Sequence, residues 1–205
     1  MSSPSSDSEK PLPGTIIVAG IPGVGKTTVL QELAAVSRER KVPLRIVNFG
    51  DVMNHLFKRK GEEIHRDHMR RQDINRQTSV QQQAARKISR MGGRSSLVVD
   101  THMFVRTVDG LWPGTPRRVL EELRPNLIVL IEADPKEVAR RRRVDDSRVR
   151  ESKTVEDARA DLEWSRYMAS ANAVLAGIPI QIVTNHRGKQ RQAAKDLLKL
   201  IEKLN

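Results

Sequence analysis

The amino-acid sequence predicts an α/β protein of three layers, in which a five-stranded parallel sheet lies between helices. Five short runs rich in Val, Ile and Leu are mostly continuous rather than alternating, which is typical of strands buried on both faces. These runs cover residues 15–19, 44–47, 97–99, 127–131 and 178–183. Segments with helical periodicity separate them, at about residues 25–41, 50–91, 116–124, 135–172 and 187–204. Such alternation of strand and helix favours a parallel sheet covered by helices.

Length and composition predict one domain behind a short tail. The chain has 205 residues, which suits a single domain over residues 14–205. Residues 1–13 are rich in Ser, Pro and charge, and we expect a disordered tail there. The tail has no apolar core of a secretory signal, and no stretch of the chain approaches the roughly 18 apolar residues of a membrane helix. The chain has no cysteine, which excludes disulfides, thiol catalysis and cysteine-bound zinc, and we expect a cytoplasmic protein.

The charge balance predicts a polyanionic partner. The formal net charge is +12, and the isoelectric point is near 10.6. Both nucleic acid and a small polyphosphate would complement such a charge. Aromatic residues make up only 3% of the chain, which leaves few side chains to stack on unpaired bases and argues against a single-strand binder.

A phosphate-binding loop follows the first predicted strand. Residues 20–27 have the pattern G-x-x-x-x-G-K-T, directly after an apolar run and at the start of a helical segment. The glycines let backbone N–H groups turn toward a phosphate, and the helix N-terminus adds positive potential there. We expect Lys26 to reach the terminal phosphates and the Thr27 hydroxyl to ligate Mg²⁺. The predicted nucleotide-binding residues are Gly20, Ile21, Pro22, Gly23, Val24, Gly25, Lys26, Thr27 and Thr28.

Further candidate residues follow the second and third predicted strands. Asp51 comes after the second strand, where it would suit the N-cap of a helix. Asp100 ends the third strand, where an acid in phosphate-loop proteins helps to hold Mg²⁺. Arg106 follows in a predicted loop, from which a guanidinium could form a bidentate pair with a phosphate. Ligands of open parallel sheets bind at the carboxyl ends of the strands, so the residues that follow each strand are the first candidates for a binding site.

A dense group of arginines follows the fourth predicted strand. Six arginines occur within residues 140–150, and Asp145 and Asp146 offset only part of their charge. So many guanidiniums in a small area predict a flap that is neutralised when a polyphosphate lies beneath it. Arginines brought onto a transferring phosphoryl group are one use of such a flap, and the exclusion of water is another.

Taken together, these motifs resemble the archaeal-type adenylate kinase family. The resemblance covers about residues 14–204, through "GIPGVGKTT" (20–28), "NFGDVM" (48–53), "DHMRR" (67–71), "DTHMFVRTVDGLWPG" (100–114), "DDSRVR" (145–150) and "ASANAVLAG" (169–177). The phosphate loop alone is shared by many unrelated enzymes, whereas the later motifs in this order are far more specific. The resemblance implies a phosphate-loop kinase fold with a short mobile lid.

The family pattern also implies a reaction and a set of residue roles. The implied reaction is Mg²⁺-dependent phosphoryl transfer from ATP to AMP, giving two ADP. The monophosphate segment would be about residues 49–92, with Asp51, Arg70 and Arg106 at the acceptor, and the lid about residues 140–153. The catalytic cations would be Lys26, Arg106, Arg140, Arg148 and Arg150, with Thr27 and Asp100 at the metal. A lid without cysteine excludes the zinc-bearing type, and family members are often trimers.

Three alternatives remain open at the level of the sequence. One is a kinase for CMP, UMP or GMP, because no residue identifies the acceptor base. Another is a phosphate-loop NTPase stimulated by nucleic acid, which the net charge would suit. A third is a non-catalytic nucleotide sensor, against which Lys26, Thr27 and Asp100 argue together.

Overall fold

The computed structural model describes residues 14–58, 74–93, 95–107, 110–144 and 154–204, without the side chains of Ile74 and Asn75. The predicted tail (1–13), Arg70 in the monophosphate segment, and Arg148 and Arg150 in the predicted lid all lie outside these ranges.

The strands form one parallel sheet and one separate hairpin. The sheet contains β1 (Thr15–Ala19), β2 (Leu44–Asn48), β3 (Ser96–Thr101), β6 (Leu127–Glu132) and β7 (Ile180–Thr184), in the order β2-β3-β1-β6-β7. The hairpin pairs β4 (Phe104–Thr107) with β5 (Gly110–Pro113) in antiparallel register. The parallel sheet confirms the predicted fold class, whereas the hairpin replaces the loop expected around Arg106.

Seven helices are described. They are α1 (Lys26–Glu39), α2 (Phe49–Lys58), α3 (Ile74–Ser89), α4 (Arg117–Leu123), α5 (Pro135–Val144), α6 (Val155–Ala176) and α7 (Gln190–Glu202). Among the described residues, the predicted helical segment 50–91 contains α2 and α3, and the predicted segment 135–172 contains α5 and the greater part of α6. None of the described helices is long and apolar enough to cross a membrane.

The helices pack as two layers around the sheet. Helices α1 and α7 contact each other, and α2, α3, α4, α6 and α5 form a second series in which each contacts the next. Between the layers, the side chains of β1, β3 and β6 are almost completely buried, as expected for continuous apolar strands with helices on both faces. The edge strands β2 and β7 are more exposed.

The register of the sheet brings the candidate site together. Asp100 of β3 pairs with Val18 of β1 on one side and with Asn48 of β2 on the other. Residue 100 and the end of β1 therefore lie at the same level of the sheet, at its carboxyl edge. This is the edge at which α/β proteins bind their ligands.

Candidate active site

The phosphate loop (residues 20–28) starts at Gly20, which lies directly after β1 and packs closely against the backbone of β6. A Cβ atom on Gly20 would lie 2.7 Å from the carbonyl oxygen of Ile131 in β6 and 2.9 Å from Cγ2 of Val24. Only glycine fits at this position without moving the backbone. Gly25 has φ 84°, a left-handed conformation that glycine adopts without strain, and helix α1 begins directly after it.

Side chains from outside the loop hold its carbonyl groups. Asn185, just after β7, donates from Nδ2 to the carbonyl of Val24 at 2.7 Å. Arg141 of α5 donates to the same carbonyl at 3.0 Å, and Nε of Arg142 donates to the carbonyl of Pro22 at 2.8 Å. The carbonyl oxygens of Pro22 and Val24 thus accept hydrogen bonds from side chains outside the loop. The N–H groups at the start of α1 have no partner within the helix. Such a loop can donate to an anion.

Lys26 is buried at the start of α1 and faces an acid. Its ammonium contacts Oδ1 of Asp100 and donates to the carbonyl of Thr101 at 2.6 Å. Burial lowers the pKa of the Lys26 ammonium below its ordinary value, while the charge and hydrogen bond of Asp100 oppose that shift. A phosphate on the loop would favour the charged form of this lysine.

Asn48 joins Asp100 to helix α2, a role that sequence reasoning missed. Its Nδ2 donates to Oδ2 of Asp100 at 2.6 Å, and its Oδ1 accepts from the backbone N of Asp51 at 3.0 Å. The prediction that Asp51 caps the helix is therefore wrong: α2 begins at Phe49, Asn48 supplies the capping oxygen, and Asp51 lies in the first turn. The signal was present in the sequence, because Asn is as good an N-cap as Asp and Asn48 directly follows the predicted strand at residues 44–47.

Arg106 lies on the hairpin strand β4, where it meets a buried carboxylate. Its Nη2 contacts Oδ1 of Asp161 on α6, and 52% of its side chain remains exposed. The other oxygen of Asp161 contacts Nη2 of Arg142 at 2.9 Å. Asp161 was not among the predicted site residues, because nothing in the sequence pairs it with either arginine.

The arginine run at the end of α5 divides into different environments. Arg140, the predicted catalytic member, is half-exposed and pairs with Glu137 of its own helix at 3.0 Å. Arg141 and Arg142 turn toward the phosphate loop, and the side chain of Arg142 is only 2% exposed. The run therefore contributes to the frame of the loop as well as to the surface.

A further buried carboxylate, Glu132, lies at the end of β6. Glu132 accepts two hydrogen bonds from Arg166 of α6, at 2.8 and 2.5 Å. These bonds raise the pKa of the Arg166 guanidinium above its already high ordinary value. Asn185, which holds the phosphate loop, donates its backbone N–H to the carbonyl of Glu132 at 2.7 Å.

The Thr27 hydroxyl and the Asp100 carboxylate, at the carboxyl edge of the sheet, are oxygen ligands of the kind that a hard divalent cation prefers. Thr27 is exposed and directly follows Lys26, whose ammonium contacts Asp100. Mg²⁺ prefers one or two protein oxygen ligands together with water and substrate phosphates. A hydroxyl and a carboxylate beside a phosphate loop match that preference.

The sequence is similar along most of its length to proteins named adenylate kinase. An adenylate kinase of Sulfurisphaera tokodaii is 40% identical over 186 residues, an alignment that covers 89% of this chain and 96% of the relative. An adenylate kinase of Thermoplasma acidophilum is 40% identical over 185 residues, which cover 90% of this chain and 97% of the relative. Residues 19–159 also match a protein family described as an AAA domain.

Solved structures support the fold. A shikimate kinase from Bacteroides thetaiotaomicron superposes with a TM-score of 0.50 at 16% identity, over 92% of this chain and 98% of the other. The Thermus thermophilus protein TT1252 superposes with a TM-score of 0.53 at 16% identity, over 95% and 99%. At such low identity these two show the fold alone, whereas the identity to the archaeal enzymes extends over nearly the whole chain. The chain belongs to the archaeal-type adenylate kinase family.

Proposed function

We propose that this chain catalyses reversible phosphoryl transfer from Mg·ATP to AMP, giving two ADP. One observation of the site carries the proposal: Lys26 of the phosphate loop meets Asp100 at the carboxyl ends of two adjacent strands. This contact supports the proposal, because a cation that could bind the terminal phosphates lies beside an acid that could help to hold Mg²⁺. The choice of AMP as acceptor rests on the relatives named above.

In this proposal the donor nucleotide occupies the phosphate loop. The N–H groups at the start of α1 and the ammonium of Lys26 bind its phosphates, with residues 20–28 enclosing them. Thr27 and Asp100 would hold Mg²⁺, which offsets phosphate charge when it is bound. Asn48 orients Asp100, because one oxygen of that carboxylate accepts its amide N–H.

The acceptor phosphate faces the loop and is held by Arg106. A guanidinium has five N–H donors, and Asp161 contacts a single nitrogen of Arg106. The remaining donors and the exposed half of the side chain can bind a phosphate. No general base is needed, since the acceptor phosphate is already an anion. We further propose that Arg70 holds the acceptor phosphate together with Arg106 and that Asp51 borders the acceptor site. Arg140, Arg148 and Arg150 would close over both substrates.

The test is ADP formation from ATP with and without AMP, in the presence of Mg²⁺. We expect ADP only when AMP is present, and lower turnover when CMP, UMP or GMP replaces it. A rate of ADP formation that is the same with and without AMP, or that depends on added nucleic acid, would overturn the proposal. Turnover that prefers another monophosphate would replace AMP as the acceptor.

Two variants assign the substrates to their residues. Lys26→Ala and Arg106→Ala are each expected to lower kcat/KM by about 10²–10³, the usual loss when one donor to a developing anion is removed. The first should chiefly affect ATP and the second AMP. Arg117→Ala is the matched control, because this arginine lies on α4 and its ion pair within the described part of the chain is with the nearby Glu121. Near-normal AMP kinetics in Arg106→Ala would remove Arg106 from the acceptor site.

A further inference from the structure

A continuous series of polar contacts joins Arg106 to the phosphate loop. Arg106 on β4 contacts one oxygen of Asp161 on α6, and the other oxygen contacts Arg142 on α5 at 2.9 Å. Arg142 in turn donates from Nε to the carbonyl of Pro22 at 2.8 Å. Three elements distant in sequence thus meet at one carboxylate, between the hairpin and the loop.

Burial differs sharply along this series. The side chain of Asp161 is 5% exposed and that of Arg142 is 2% exposed, whereas Arg106 is 52% exposed. The buried end is fixed by packing and by the loop carbonyl. The exposed end is a long side chain that would otherwise sample many rotamers at a large entropic cost of ordering. Because Asp161 contacts both arginines, the fixed position of Arg142 restricts where the guanidinium of Arg106 can lie.

We propose that Asp161 is a positioning residue that sets the guanidinium of Arg106 relative to the phosphate loop. The inference rests on the proposed function, in which Arg106 holds the acceptor phosphate and the loop holds the donor. In-line transfer demands that these two phosphates keep a fixed separation, since misplacement of reacting groups by about 1 Å can cost 10²-fold in rate. Asp161 touches neither phosphate and acts through Arg106.

The negative charge of Asp161 also stabilises the close approach of Arg106 and Arg142. Its single carboxylate lies between two guanidiniums and offsets part of their mutual repulsion. An amide in its place keeps the shape but loses the charge, and its NH₂ group cannot accept a hydrogen bond. One of the two arginines would then lose its acceptor, and the exposed Arg106 has less packing to hold it.

The test is the substitution Asp161→Asn in the full chain, with separate kinetics for the two substrates. We expect kcat/KM for AMP to fall about tenfold, while KM for ATP changes less than about threefold, because Arg142 keeps its bond to the loop. The matched control is Asp157→Asn, the same change one turn earlier on α6. Asp157 feels the charges of Arg106 and Arg142 but bonds to Thr154, so AMP kinetics should not change.

The same substitution in an Arg106→Ala background separates positioning from a general structural effect. If Asp161 acts through Arg106, Asp161→Asn adds no further loss for AMP there. Should Asp161→Asn not fold, Asp161→Glu decides, since it keeps the charge but moves it by one methylene. It should lower kcat/KM for AMP and not for ATP, and only when Arg106 is present.

The outcomes distinguish this inference from the proposed function. Unchanged AMP kinetics in the folded Asp161 variants, or the same loss with and without Arg106, would overturn the positioning role and leave the proposed function intact. Absence of AMP-dependent ADP formation in the unaltered chain would overturn both.

Discussion

The substitution Gly20→Ala tests whether the close approach of the phosphate loop to β6 sets the geometry of the site. The added Cβ would lie 2.7 Å from the carbonyl oxygen of Ile131 and 2.9 Å from Val24, whereas real Cβ contacts essentially never fall below 3.0 Å. The first atom belongs to the backbone of a central buried strand, so it cannot rotate away. The loop must therefore retreat by at least 0.3 Å to leave a 3.0 Å contact, and by 0.7 Å to reach an ordinary 3.4 Å contact.

This displacement has a cost in stability and a cost in activity. Overpacking of a well-packed core costs typically about 1–3 kcal/mol. For a domain of this size we expect Tm to fall by about 2–4 °C for each kcal/mol. Because the loop carries the proposed donor site, a shift of several tenths of an ångström should also lower kcat/KM for ATP by about tenfold or more.

Thermal unfolding and the two-substrate assay measure these costs. The matched control is Gly92→Ala, since a Cβ on Gly92 meets nothing within 4 Å and its φ lies outside the left-handed region. The control should keep both Tm and ATP kinetics. If Gly20→Ala were as stable and as active as the control, the close approach would have no role in shaping the site.

Three other substitutions test further contacts. Asn48→Ala removes the N-cap of α2 and the hydrogen bond to Asp100. It should lower the free energy of unfolding by about 1–2 kcal/mol and also lower kcat. An unchanged free energy of unfolding would refute the capping role. Asn185→Ala removes the 2.7 Å hydrogen bond to the carbonyl of Val24, which keeps its 3.0 Å bond from Arg141, and should cost about 0.5–1.5 kcal/mol with a raised KM for ATP. Hydrogen bonds from Thr154 hold the pKa of Asp157 below its ordinary value of 3.8, so that carboxylate stabilises the fold above this pH and the benefit is lost as the pH falls through the folded-state pKa. Asp157→Asn should therefore lower Tm at pH 6, and this difference from the unaltered chain should shrink as the pH is lowered below 3.8; a difference that does not change with pH would contradict the cap.

The central sheet could be predicted because its signals are local. Continuous apolar runs identify strands buried on both faces, and the spacing of glycines in residues 20–25 identifies the phosphate loop without reference to the rest of the fold. Asp100 could be predicted for the same reason, since an acid at the end of a buried strand needs a partner. In the structure the partner is the ammonium of Lys26, a contact that the sequence did not predict.

The remaining contacts depend on helical phase and on pairs distant in sequence. Four consecutive arginines look alike in the sequence, and only the helical phase of α5 selects Arg142 for burial, one turn after the buried Val138. Asp161 likewise falls on the buried face of α6, but its two partners come from other elements. The hairpin was missed because β4 and β5 have four residues each and the second ends in a proline.

The outward anchoring of the loop carbonyls has a thermodynamic consequence. Hydrogen bonds from Asn185, Arg141 and Arg142 hold the backbone of the loop through contacts within the protein itself. The loop residues therefore lose their conformational entropy when the protein folds. This loss does not recur when a nucleotide binds, so it does not lower the affinity for the nucleotide. Nucleotide binding to such a preorganised loop should show a small heat-capacity change, because little additional surface is buried by refolding of the loop.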